Sequence, residues 1–220
     1  MALPLLLGEP RPRSLLDVGC GTGTWLRAAH DMGIERVQGI DGVKLASDDL
    51  HVDDSLIRQC DFRGDWKINE CYDVLLCLEV AEHLEEQHAF DFVKKLTSCS
   101  DRIIFSAASP WQLGQHHVNC QWPAYWQDLF NQCGFACQDR LRWKIWDTKE
   151  IERWYRQNMF MAERDERGAG NESRLPGVVH PDCMLPACRV WHSRQQSLLE
   201  AAASWVDRGL RKCLGMKSYE

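Results

Sequence analysis

Short apolar runs alternate with segments of helical period over the first half of the chain, so the pattern predicts strands and helices in turn. Ser14-Leu-Leu-Asp-Val18 reads as a strand and Thr22 to Met32 as a helix. Arg36 to Ile40 predicts a second strand, and Leu56 to Cys60 a shorter third. Tyr72 to Leu78 is apolar almost throughout, as a strand covered on both faces must be. A helix follows from about Val80 to Leu96, where Phe90, Val93 and Leu96 recur at helical spacing. Arg102 to Phe105 is the fifth strand. Strands that alternate with helices imply βαβ units and a mainly parallel sheet.

Beyond Phe105 the pattern loosens. Ser106 to Trp122 holds Pro110 and Gly114 with no clear period, which predicts a loop over the carboxyl edge of the sheet. Pro123 to Cys133 is helical, with proline in its first turn and Gly134 after its end. Phe135 to Trp146 predicts a long strand, and Asn158 to Met161 its antiparallel neighbour. Glu163 to Gly177 is charged and contains glycine, the composition of a loop or linker. Ser193 to Cys213 predicts an amphipathic helix through Leu198, Leu199, Ala202, Trp205, Val206 and Leu210. The expected fold class is α/β: a doubly wound, mainly parallel seven-stranded sheet with an antiparallel final strand. It occupies residues 1–163, with 164–220 as linker and C-terminal helical extension on the same domain.

Composition narrows the function classes. The net charge is −6 with no block of lysine or arginine, which counts against a nucleic-acid partner. No stretch reaches the roughly 18 apolar residues of a membrane-spanning helix. The apolar run that opens the sequence is short, interrupted by Pro4 and without a basic flank, so a cytoplasmic protein is expected. The 11 cysteines form no C-x-x-C pair, so they are read as free thiols in a reducing compartment rather than as zinc ligands.

Asp17-Val-Gly-Cys-Gly-Thr-Gly23 joins the first strand to the first long helix. Glycine there allows a sharp turn and lets a ligand approach the main chain with no Cβ in the way. The helix start behind it offers unpaired N–H groups. Asp41, followed by Gly42, ends the second strand about 20 residues on, where a carboxylate can accept both hydrogen bonds of a ribose diol. The compact G-x-G-x-G loop with an acid two residues before it resembles motif I of class I S-adenosylmethionine (SAM)-dependent methyltransferases. By that resemblance Gly19, Cys20, Gly21 and Gly23 wrap the methionine and ribose of SAM, and Asp17 orients the methionyl amino group. Asp61 and Phe62 stand where the family places an acid and an apolar neighbour for adenine. Leu78 and Glu79 close the cofactor set.

Leu78-Glu-Val-Ala-Glu-His83 follows the fourth strand, where Glu79, Glu82 and His83 would share one helical face. Similar segments occur in ubiquinone-biosynthesis O-methyltransferases and in small-RNA 3′-end methyltransferases. In the latter, two such Glu, the His and a later His hold a divalent metal. Gly114-Gln-His-His-Val-Asn-Cys-Gln-Trp122 resembles a segment of bacterial sugar and natural-product methyltransferases. A histidine at a pocket mouth can take a hydroxyl proton near neutral pH. The expectation is transfer to a hydroxyl of a small molecule or sugar, with no metal and His117 as base, ahead of His116 and Glu79. A metal-assisted reaction on Glu79, Glu82, His83 and His117, at an RNA 3′-end, is the alternative, and a non-catalytic SAM-fold binding partner the second. Trp143-Lys-Ile-Trp146 and Trp154-Tyr-Arg-Gln-Asn158 form an aromatic and polar set without an assigned role. Acceptor recognition would fall to the C-terminal segment or to a partner chain, including a second copy.

Overall fold

A computed structural model describes residues 3–184. Seven strands form one sheet: β1 (Ser14–Val18), β2 (Arg36–Asp41), β3 (Ile57–Gln59), β4 (Val74–Leu78), β5 (Arg102–Ser106), β6 (Phe135–Gln138) and β7 (Phe160–Arg164). Their spatial order is β3-β2-β1-β4-β5-β7-β6. The first five pair in parallel, whereas β7 runs antiparallel to both β5 and β6. The strand order reverses between β1 and β4. That reversal opens a crevice at the carboxyl ends of these two strands, the usual ligand position of such sheets.

Helices cover both faces, and the period-2 alternation of the central strands decides which residue meets which layer. Leu16, Val18, Leu75, Cys77, Ile103 and Phe105 share one core cluster with α3 (Glu86–Cys99) and α4 (Pro123–Gln132). Leu15, Val74, Leu76, Leu78 and Ile104 share the other with α1 (Leu3–Leu7), α2 (Thr24–Asp31) and α5 (Arg140–Ile145). β1 and β4 are buried at every position, which accounts for the unbroken apolar sequence of β4, while β1 buries Ser14 and Asp17 as well.

Three expectations need correction. No helix starts at Val80. A 3-10 turn at Ala81–His83 comes first, Leu84 and Glu85 are extended, and α3 begins only at Glu86. Its buried stripe runs through Ala89, Phe92, Val93 and Leu96, while Phe90 is 39% exposed. The strand expected over Phe135–Trp146 stops at Gln138 and turns into α5. There Leu141 and Ile145, four residues apart, meet the core from one helical face. Arg142, also buried, is held by Asp139 and by the carbonyls of Gln157 and Pro176. The antiparallel partner begins two residues later than predicted, at Phe160, because α6 (Arg153–Asn158) occupies the polar set before it.

The compact unit continues past residue 163 to His180. Glu172 accepts hydrogen bonds from Gln127, Asn131 and the Cys137 N–H, and Leu175 enters the core. The predicted helix Ser193–Cys213 lies outside the described residues. Among the described residues no helix is long and apolar enough to cross a membrane. The nine cysteines within them are all free thiols.

Candidate functional site

The glycine loop lies at the crevice between β1 and β4. Gly19, Gly21 and Gly23 have φ of 78°, 51° and 81°, which L side chains rarely adopt. Two of them also answer to packing. A Cβ on Gly19 would fall 2.2 Å from Val80, and one on Gly23 2.8 Å from Val52. Gly21 differs, since a Cβ there would meet nothing within 4 Å. Its main chain borders open space, as a ligand-cradling loop requires. Cys20 turns its buried thiol toward Gly39, where a Cβ would collide with its Sγ, so the side chain packs the turn.

Asp41 binds the loop to the second strand. Its Oδ2 accepts the Gly21 N–H at 2.7 Å and its Oδ1 the Val43 N–H at 2.8 Å. Each oxygen keeps a further lone pair, enough for a ribose diol. Asp17 is 1% exposed, and its Oδ2 has no hydrogen-bond partner. Burial, reinforced by Asp41, pushes its carboxyl up to about 8. An orphaned buried carboxyl beside an open glycine is what a cationic ammonium group would satisfy, so these residues fit SAM. Gly42 contributes a carbonyl to Gln59, and Asp61 accepts the Arg63 N–H. Phe62 stands edge-on to Trp66 and Phe92, at 5.7 and 5.6 Å, within an aromatic cluster. Leu78 is buried in the core. A cavity of about 530 Å³ reaches Gly21 and follows the β2–β3 edge past Lys44, Ser47 and Arg58. Neither Asp17 nor Glu79 lines it, so the buried carboxyls and the loop geometry, not that cavity, locate the chemistry.

Past β4 the chain turns sharply. Glu79 has φ 58°, a left-handed conformation that costs a non-glycine residue about 1–3 kcal/mol and marks sites where the surroundings over-determine the backbone. Its N–H donates to the Ser106 carbonyl at the end of β5. Its carboxylate accepts from Gln112 at 2.6 Å and from Asn158 at 3.1 Å. Asn158 in turn donates to the side-chain Oε1 of Gln112 at 2.7 Å and accepts from Ser109 at 2.7 Å. Glu82 is fully buried, and neither carboxyl oxygen has a hydrogen-bond partner. Burial, then the neighbouring Glu79, pushes it up to about 9. Glu79 is also raised, chiefly by burial.

Glu82, His83 and His117 come together, with one ligand atom from each lying within 4.8 Å of the others. The His83 and His117 rings meet edge-on at 5.0 Å. A carbonyl can only accept, so the contact of His117 Nδ1 with the Gln112 carbonyl at 3.3 Å puts the proton on Nδ1. The same holds for His83 Nδ1 on the His116 carbonyl at 3.3 Å. Both rings therefore keep a lone pair at Nε2, and that of His117 lies 4.0 Å from Glu82 Oε1. Gly114 permits this, because a Cβ there would overlap the His117 ring. His116 is exposed and contributes its carbonyl. Of the four ligands in the metal-assisted alternative, three converge, while Glu79 is engaged by Gln112 and Asn158. Glu79, Glu82 and His83 do not share the α-helical face predicted for them, because Glu79 is left-handed and only Ala81–His83 form a 3-10 turn.

Sequence reasoning gave Gln112, Ser109 and Asn158 no role. Asn158 lay in the polar set noted beside Trp154, but only the fold brings it to Glu79. Tyr155 also lies deep in this region, its ring 5.8 Å from Trp25 and its hydroxyl raised by burial, with Glu79 and Asp17 near enough to act on it.

The family model described as "Methyltransferase domain" matches residues 2–158. No curated protein matches the sequence. Among solved structures, the methyltransferase domain of bacterial CtHen1-C is similar at 16% identity and TM-score 0.55, covering 74% of this chain and 95% of that one. The plantazolicin methyltransferase BpumL with a desmethyl analogue and S-adenosylhomocysteine (SAH) follows at 13% and 0.53, covering 74% and 81%. Magnesium protoporphyrin IX methyltransferase from Synechocystis PCC 6803, with bound SAH, is similar at 19% and 0.51, covering 69% and 74%. With the family match over most of its length, a glycine loop tied to Asp41 at the switch point and a parallel sheet closed by an antiparallel strand, the chain belongs to the class I, Rossmann-like, SAM-dependent methyltransferases.

Proposed function

We propose that this methyltransferase transfers the SAM methyl group to a hydroxyl oxygen of a small molecule or sugar, with His117 as the general base. The observation that carries this reading is the contact between His117 Nδ1 and the Gln112 main-chain carbonyl, which assigns the Nδ1–H tautomer to the neutral ring. Its Nδ1–H is tied to the Gln112 carbonyl, so the basic Nε2 is held in a fixed place beside the residues that follow β4. SAM supplies the electrophilic methyl when bound. The chain's own work is to place the hydroxyl and accept its proton, a contribution of about 10²–10⁴-fold for such a base. The test is transfer of labelled methyl from SAM into fractionated cell extract. A labelled product with an ether linkage supports the reading, and label found only on nitrogen, carbon or protein carboxyl groups contradicts it.

A second reading is favoured by one observation, the buried Glu82 carboxyl with both oxygens unpartnered beside two imidazole lone pairs. Glu82, His83 and His117 are chemically suited to a divalent cation such as Mg²⁺ or Mn²⁺. The imidazole N–H groups on backbone carbonyls are the outer bonds that metal-ligating histidines make. A bound cation would supply charge stabilisation to an acceptor oxygen. Transfer that persists in EDTA supports the first reading, and transfer abolished by EDTA and restored by Mn²⁺ supports the second.

A further inference from the structure

The loop between β5 and α4 has an unusual composition. From Ala107 to Trp122 it contains no Asp, Glu, Lys or Arg, in a chain that is 26% charged. Two of its polar side chains are bonded within the protein, Gln112 to Glu79 and Asn158 and Gln121 to Asn119, while Gln115 and His116 are exposed. Three large apolar side chains face water as well: Trp111, Leu113 and Val118 are 76%, 82% and 58% exposed. A single exposed apolar residue is ordinary. These three bracket Gln112, which donates to Glu79, and His117, whose Nε2 lies 4.0 Å from Glu82.

Trp111 and Leu113 flank Gln112, which donates to Glu79. Val118 follows His117, and its own N–H donates to the Glu82 carbonyl. The contact between His117 and the Gln112 carbonyl draws the two ends of the loop together. Trp111 also has φ 69°, which is costly for a bulky residue, and its ring meets Trp122 edge-on at 5.8 Å. Strain that presents an indole to water is compensated when a ligand covers it.

We propose that Trp111, Leu113 and Val118 form the acceptor subsite, and that the acceptor is an uncharged molecule whose hydroxyl is carried on a planar, apolar ring body. This rests on the hydroxyl-transfer reading above. A phosphate ester, a carboxylate or a nucleic-acid backbone needs a fixed countercharge, which this loop does not contain. Beside Glu79 and Glu82, the ionisable groups near it are the imidazoles of His83, His116 and His117, none of them a fixed cation, and Arg63 at the His83 carbonyl is paired with Glu85. A free sugar needs several side-chain hydrogen bonds; those of Gln112 are committed to Glu79 and Asn158, which leaves Gln115 and His116 as the exposed polar side chains of the loop. An apolar ring needs neither, and gains by removing indole and leucine surface from water.

Calorimetric titration of the SAH-loaded protein tests this, with 2-naphthol as the probe and methyl β-glucoside and 2-naphthyl phosphate as comparisons. The expected result is binding of 2-naphthol at least about tenfold tighter than either comparison, because methyl β-glucoside lacks roughly 55 Å² of apolar surface and 2-naphthyl phosphate brings an anion to a loop with no fixed cation. The double substitution W111A and L113A removes only exposed side chains. It should weaken 2-naphthol by about tenfold or more while SAH affinity stays the same. The proposal is overturned if either comparison binds as tightly as 2-naphthol, if 2-naphthol does not bind, or if the double variant binds it unchanged. Failure of SAH itself to bind is a separate outcome, which overturns the underlying reading as well.

Discussion

At the scale of single residues, Asp17 makes the cofactor cleft sensitive to pH. Its carboxyl moves from 3.8 to about 8 on folding, through burial and then through Asp41. Between about pH 4 and pH 8 the folded chain keeps a proton that the unfolded chain has released, so stability falls as pH rises through that window. Urea denaturation at pH 5.5 and 7.5 should show this loss, to which Glu82, pushed up to about 9, contributes as well, and Asp17→Asn should remove the part that Asp17 supplies. A wild-type stability that rises across the window contradicts the burial argument. An ammonium group brought to Asp17 favours the ionised form, so SAH binding near pH 6.5 should release a proton. Its binding enthalpy should then vary with the ionisation enthalpy of the buffer. Asp17 was legible in the sequence because its position before a glycine loop is local information. Its isolation from hydrogen-bond partners was not, since that depends on layers assembled from distant segments.

At the scale of elements, the segment after β4 decides the site. The motif Glu79-Val-Ala-Glu-His83 was visible, yet its conformation was read as α-helix. The apolar periodicity that signals a helix belongs to α3, and it was extended backward over a turn whose residues are fixed from outside. Glu79 is held left-handed by Ser106, Gln112 and Asn158, none of them nearer than 27 positions in sequence. Pattern reasoning failed for a similar cause at Phe135–Trp146, where alternation and helical spacing fit the same apolar residues. Asn158 links the three loops at this edge, so its substitution should be costly. Asn158→Ala should destabilise by about 1–3 kcal/mol, the cost of unpaired buried groups. Asn158→Asp should cost more, because it buries a second carboxylate against Glu79. Equilibrium unfolding that ranks the two in the opposite order would place Asn158 outside this network. The Glu82 cluster has its own test in thermal denaturation with added Mn²⁺. The hydroxyl-base reading expects no change in Tm for either wild type or Glu82→Gln. A rise in wild type that Glu82→Gln abolishes favours the cation.

At the scale of the whole molecule, the mainly parallel sheet and its antiparallel closing strand were legible in the sequence pattern, because strands buried on both faces are strongly marked, whereas the order of the strands came only with the structure. Residues 165–180 were not legible, since their charge and glycine content resemble a linker. They fold onto α4 through a few specific bonds instead. Glu172 is the chief anchor. Burial alone would raise its carboxyl, but hydrogen bonds from Gln127, Asn131 and the Cys137 N–H bring it down to about 2. Its contribution is therefore present above about pH 4.5 and lost as pH falls toward 2. Glu172→Ala should cost about 1–3 kcal/mol at pH 7 and narrow its gap to wild type in acid. Chemical denaturation across pH 3–7 checks both.

The account as a whole depends on the crevice between β1 and β4 being a SAM site held by the glycine loop and Asp41. Titration calorimetry of SAH into the purified protein tests that most directly, with Asp41→Ala and NADH as comparisons. The account predicts one SAH per chain, and a loss of about 1.5–3 kcal/mol in Asp41→Ala, as charge-assisted hydrogen bonds to the ribose disappear. Binding of NADH in preference to SAH, or SAH affinity unchanged in Asp41→Ala, would contradict it.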